Sequence, residues 1–266
     1  MRTPILSAVL ALCLGLLVGP QPAAAQFITP QKPAEVAAER RACVDLAARS
    51  PAEAVARAEA WEKRGGGDHA RLCRAMADFN RGAFVAAAAE FERLAGTLGV
   101  EDGKVRAGLL ARAGMARFRA GEVSQAERLY GAALSVDPDD PELWIDRALI
   151  RTGAERYWDA VADLGEVLRR APDRVDALLY RARAYVALAL YDLALADAQA
   201  ALRLAPNDPE ALLIRGNARL RRGDAAGAEA DWQEVVRRAP RTASAEAAAD
   251  NLKRLQAGAA QPPPRP

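Results

Sequence analysis

Large apolar, small and polar positions return along this chain at a fixed interval. The prolines Pro138, Pro172, Pro206 and Pro240 stand 34 residues apart, and four further columns keep the same register. Leu110, Trp144, Leu178 and Leu212 form a column of large residues, and Gly114, Ala148, Ala182 and Gly216 a column of small ones. Ala126, Ala160, Ala194 and Ala228 make a second small column, with Tyr130, Leu164, Ala198 and Trp232 as a further packing position. Within each unit the pattern predicts two helices joined by a tight turn. In the last unit "PEALLIRGNARLRR" is the first helix, Gly223-Asp224 the turn and "AAGAEADWQEVVRRA" the second helix. Gly216 and Ala228 let two backbones cross closely, while Leu212 and Trp232 fill the space on either side. Proline ends the second helix, because it lacks an N–H and clashes with the preceding turn. In "VDPDDPELW" and "LAPNDPEALL" the Asp-Pro-Glu segment supplies a cap, a first-turn proline and an acid that complements the next helix dipole.

The 34-residue period and its columns resemble the tetratricopeptide repeat, a helix-turn-helix unit with small residues at fixed places. The resemblance covers residues 107–240 and implies an all-α, right-handed α-solenoid of four such units, approximately 107–140, 141–174, 175–208 and 209–242. It departs at Arg151 and Arg219, where a large residue is usual; long side chains lying along the surface are expected there. Two divergent units precede these within 35–106. "RLCRAMADFNRGAFVAAAAEFERLAG" aligns Ala75, Gly82, Phe84, Ala87 and Phe91, and the excess around "TLGVEDGK" is expected to form a longer loop. "RRACVDLAARSPAEAVARAEAWEKRGGG" carries the two-helix plan through Ala42, Ala54, Ala58 and Trp61. Residues 243–256 read as a solvated final helix whose Leu252 and Leu255 suit a cap over the exposed end. Residues 257–266 read as a disordered proline-rich tail.

The two ends bear on location. Arg2 precedes an apolar run from Ile5 to Val18, and Ala23-Ala24-Ala25 follow, as in a secretory signal spanning 1–25. Residues 26–34 then form a leader, and the expected destination is the periplasm. The apolar run is too short for a comfortable membrane span, and none is expected after signal cleavage. Cleavage removes Cys13 and leaves Cys43 and Cys73, which in an oxidising compartment form a disulfide or stand as two separately buried thiols. First helices of neighbouring units lie side by side in the arrays this chain resembles. That places Cys43 and Cys73 within reach of each other.

Composition then narrows the chemistry. Lys and Arg number 37 against 35 Asp and Glu, no basis for nucleic-acid binding. His69 is the only histidine, so metal sites and histidine-based catalysis have little to draw on; no enzyme activity, metal or cofactor is expected. His69 itself reads as a surface residue at a helix start. The paired acids of "VEDGK", "DPDDPE" and "PNDPE" fall where caps are needed, and "RGGGDHA" lacks the context of a phosphate loop.

What remains is surface. The resemblance implies a concave groove, lined by the first helices, that receives an extended peptide or a partner helix. Its candidate lining is Met115, Phe118, Ile145, Leu149, Leu179, Tyr180, Arg183, Leu213, Asn217 and Arg221. Some of these side chains could equally pack between repeats. Asn217 stands without the lysines that a C-terminal carboxylate clamp needs. The expected function is a non-catalytic scaffold or adaptor in the bacterial cell envelope; the alternative is a regulatory or accessory subunit of a periplasmic enzyme complex.

Overall fold

The computed structural model describes residues 32–98, 100 and 102–258. The expected signal segment, most of the leader, Cys13, Glu101 and residues 259–266 of the tail lie outside the described residues. Thirteen helices follow one another among the described residues, without a strand. They pair as α1 (Pro33–Arg49) with α2 (Pro51–Lys63), and α3 (Gly67–Asn80) with α4 (Phe84–Ala95). Next come α5 (Gly103–Arg119) with α6 (Val123–Val136), and α7 (Pro141–Gly153) with α8 (Tyr157–Arg170). Then α9 (Val175–Ala187) pairs with α10 (Tyr191–Leu204), and α11 (Pro209–Arg221) with α12 (Ala225–Arg238), before a single α13 (Ala243–Gln256). Each helix packs on the next, which makes the chain an all-α solenoid of helix-turn-helix repeats. The excess before the third pair is only partly loop: α5 begins at Gly103 and absorbs residues expected to be irregular, because Asp102 caps it by accepting from Lys104 N and Val105 N. Asp140 and Asp208 cap α7 and α11 with proline in the first turn.

The small and large columns turn out to be matched pairs. Gly114 lies under Tyr130 and Gly216 under Trp232, so close that an added Cβ would fall 2.8 Å and 2.6 Å from the rings. The units with alanine, at Ala148 and Ala182, carry the smaller Leu164 and Ala198 opposite. Volume is therefore traded between the two columns in three of the units, while the Ala182 and Ala198 pair is small on both sides. The turn column shows a similar substitution: Gly121 and Gly223 adopt φ of 82° and 89°, and the same left-handed position holds Glu155 at 60° and Ala189 at 58°.

Arg151 and Arg219 do not lie along the surface. Each reaches a buried aspartate on the second helix of its own unit, Arg151 Nη1 to Asp163 at 2.6 Å and Arg219 Nη1 to Asp231 at 2.9 Å. The same aspartates accept two parallel bonds from Arg147 and Arg215, and Asp197 accepts them from Arg181. A buried carboxylate must be paired, and the planar guanidinium fits it bidentately. The three pairs repeat at the 34-residue period, whereas the unit that begins at Ala107 has Ala113 and Leu129 at the corresponding places.

Both ends of the array are tied down. Cys43 on α1 and Cys73 on α3 form a disulfide with 5.8 Å between their Cα atoms, and both are fully buried. The bridge joins first helices of neighbouring units where the apolar clusters are small. At the other end α13 packs on α11 and α12, burying Ala245 and Ala248, with Leu252 and Leu255 against the main core. Asn251 stands 34 residues after Asn217 and donates to it at 2.9 Å, so α13 occupies the place of the next first helix.

Candidate protein-binding groove

The first helices pack most directly at α1–α3, α9–α11 and α11–α13, and α5 packs more loosely against α3 and α7. One column explains the opening. Ile145, Leu179 and Leu213 are buried in the core. The residue at the same place in the earlier unit is Ala111. An alanine there leaves space that the larger residues fill elsewhere, and a pocket of about 310 Å³ results. Met76, Phe79 and Asn80 of α3 form one wall, and Ala111, Arg112 and Met115 of α5 form another. Phe91 and Tyr130 of the second helices make the floor, and Asp146 of α7 closes the far side.

The polar groups of the pocket differ in availability. Tyr130 donates its hydroxyl to Asp146 Oδ2 at 3.0 Å. Burial, with the adjacent carboxylate, pushes the Tyr130 phenol above its ordinary range, so it stays a donor. Burial likewise pushes the Asp146 carboxyl up, against the stabilising bond from Tyr130. The Asn80 amide is spent on the Ala47 carbonyl at 2.9 Å. Arg112 is exposed and has no carboxylate partner among the described residues. The pocket thus offers soft apolar walls and a free guanidinium, the composition of a site for a side chain of another protein.

The ten residues expected to line the groove separate into four groups. Ile145, Leu179 and Leu213 are buried between repeats and are unavailable to a partner, because they fill the space between adjacent first helices. Phe118 is half-buried and packs toward Gly153 of the next first helix, and Tyr180 is half-buried against the core. Asn217 is engaged by Trp232 Nε1 at 3.2 Å as well as by Asn251, so its amide oxygen is occupied by the fold. Met115, Leu149, Arg183 and Arg221 remain accessible, with Arg183 paired to Glu210 at 3.2 Å. Only Met115 of the ten lies in the pocket. Met76 and Phe79 belong to a divergent unit where the repeat register is weak, and Arg112 follows the Ala111 position on α5, so the period alone does not select them. The signal that could have found them is the one small residue in the column of Ala111, Ile145, Leu179 and Leu213.

The remaining expectations about chemistry concern single residues. His69 is half-buried rather than on the surface, its Nδ1 lacks a hydrogen-bond partner, and burial lowers its pKa. Among the described residues no group of three or more His, Cys, Asp and Glu is placed to hold a metal ion, and no helix is long and apolar enough to cross a membrane.

Comparison with known proteins agrees with this fold. Two models of the tetratricopeptide repeat match the chain, one at residues 107–151 and one at 147–209 and 181–244. Between them they run over just more than half of the sequence. Among curated proteins none matches. Of solved structures, a tetratricopeptide repeat protein from Parabacteroides merdae is similar at 21% identity and a TM-score of 0.62, covering 73% of this chain and 77% of that one. MamA from Desulfovibrio magneticus RS-1 is similar at 17% identity and a TM-score of 0.56, covering 71% of this chain and 96% of that one. At these identities the likeness is one of fold. With the repeat models, the 34-residue columns and the helix pairs in agreement, the chain belongs to the tetratricopeptide-repeat family.

Proposed function

We propose that this chain is a non-catalytic scaffold or adaptor that holds a segment of another protein on its first-helix face, centred on the pocket between α3, α5 and α7. The observation that carries the reading is that pocket: an apolar opening of about 310 Å³ where α5 packs loosely between the neighbouring first helices. The setting we propose is the periplasm of a bacterial envelope. The signal-like segment 1–25 and the Cys43–Cys73 bridge support it, since a structural disulfide persists in an oxidising compartment.

The test is site-specific photocrosslinking in living cells. A photoreactive amino acid at Met115 is expected to capture a discrete partner that the same group at exposed Gln233 of α12 does not. Identical products from both positions, or none from Met115, would refute the groove. Mass spectrometry of the mature N-terminus examines the setting separately: a chain starting at Gln26 in the envelope fraction supports export, and an intact Met1 chain in the cytosol contradicts it.

A further inference from the structure

We infer that the segment held in this pocket is acidic, an extended stretch that seats one large apolar side chain between two carboxylates. The inference rests on the groove reading above and supplies the chemistry of the partner. It comes from the charge of α5. The helix "GKVRAGLLARAGMARFR" carries Lys104, Arg106, Arg112, Arg117 and Arg119 without one acid, alone in this among the described helices. Arg117 is spent within the fold, on Glu92 at 2.9 Å and Glu122 at 2.8 Å. Arg112 and Arg119 are exposed and have no carboxylate partner among the described residues. Neither is remote from the pocket. Arg112 is part of its wall, and Arg119 lies 5.5 Å over the Phe84 ring, which meets the pocket's Phe79 edge-on at 5.4 Å.

Spacing gives the partner its pattern. Arg112, Met115 and Arg119 follow one another at intervals of three and four residues, so they share one face of α5. The two arginines are about 10.5 Å apart along the axis at 1.5 Å per residue. A chain in the extended polyproline II conformation advances about 3.1 Å per residue with three residues per turn, so side chains three positions apart share one face about 9.3 Å apart. A segment with acids three positions apart and a large apolar residue between them would therefore place both carboxylates on guanidinium groups and the apolar chain over Met115. Asp146 is the opposing charge in the pocket, but its carboxylate is half-buried and already accepts the Tyr130 hydroxyl. The two arginines dominate the open side.

The experiment uses the mature chain and three fluorescein-labelled peptides of equal length, centred on Glu-Leu-Met-Glu, Lys-Leu-Met-Lys and Glu-Gly-Ser-Glu, followed by anisotropy. The first peptide is expected to bind about tenfold more tightly than either other, with the preference weakening as salt rises. Arg112→Glu with Arg119→Glu, both exposed positions, is expected to keep its helical circular dichroism and to prefer the lysine peptide. Equal binding of the first two peptides, lost in Met115→Asp, overturns the acidic partner and leaves the groove standing. Tight binding of the first peptide that charge reversal does not disturb puts the site elsewhere and also overturns it. If no peptide binds, both readings fall.

Discussion

Replacing Gly216 by alanine probes the volume exchange that spaces the helices. A methyl group there would lie 2.6 Å from Trp232 Nε1 and 2.8 Å from its Cδ1. The indole cannot swing away freely, because it is buried and its N–H is held by Asn217 at 3.2 Å. Overpacking of this kind costs about 1–3 kcal/mol, and the better helix propensity of alanine returns about 1 kcal/mol. Gly216→Ala alone is therefore expected to destabilise by roughly 0–2 kcal/mol. In a Trp232→Leu background the ring is absent, as in the natural Ala148 and Leu164 pair, and the same substitution should stabilise by about 1 kcal/mol. The coupling between the two sites is then about 1–3 kcal/mol. Urea denaturation of the four proteins by far-UV circular dichroism measures it, with hydrogen exchange of α11 and α12 because repeat arrays unfold in parts. A coupling below about 0.5 kcal/mol would show that Trp232 accommodates the methyl and that the reasoning fails.

Three further outcomes follow from the same geometry. Asp197→Ala leaves Arg181 without its bidentate partner and should cost about 3 kcal/mol, while Arg181→Ala with Asp197→Leu, the arrangement found at Ala113 and Leu129, should cost less than half of that in the same denaturation. Replacing both Cys43 and Cys73 by alanine opens a 30-residue loop and should cost about 3–4 kcal/mol, with faster hydrogen exchange confined to α1–α3; uniform loss of protection would contradict the local role. Asp146 binds its proton more readily folded than unfolded, so between the ordinary value of 3.8 and its raised folded value the native state holds more protons and stability falls as pH rises. Asp146→Asn, which keeps an acceptor for Tyr130, should remove that fall and be at least as stable at neutral pH; a melting-temperature profile parallel to that of the unchanged protein would count against it.

The repeat, its helix pairs and most of its caps were legible because they depend on local chemistry. Proline cannot continue a helix from its interior, an Asp-Pro-Glu segment starts one, and a 34-residue recurrence of small and large residues describes a repeated helix crossing. Those facts require no knowledge of neighbours. Arg151 and Arg219 required it: an arginine reads as a surface residue until a buried aspartate from the facing helix is placed 2.6–2.9 Å away. Ile145, Leu179 and Leu213 were assigned to the groove for the same reason, since periodicity gives the face of a helix but not what presses on that face.

The sequence by itself determined the helix-turn-helix unit and its 34-residue period, because each unit is built from contacts between residues close in the chain. Only the tertiary structure decided where the array opens. Ala111 leaves space in the pocket wall where later units carry Ile145, Leu179 and Leu213, and the other walls come from residues as far apart as Met76 and Asp146. A missing volume has no letter of its own in the sequence; it becomes visible when the surrounding helices are held in place.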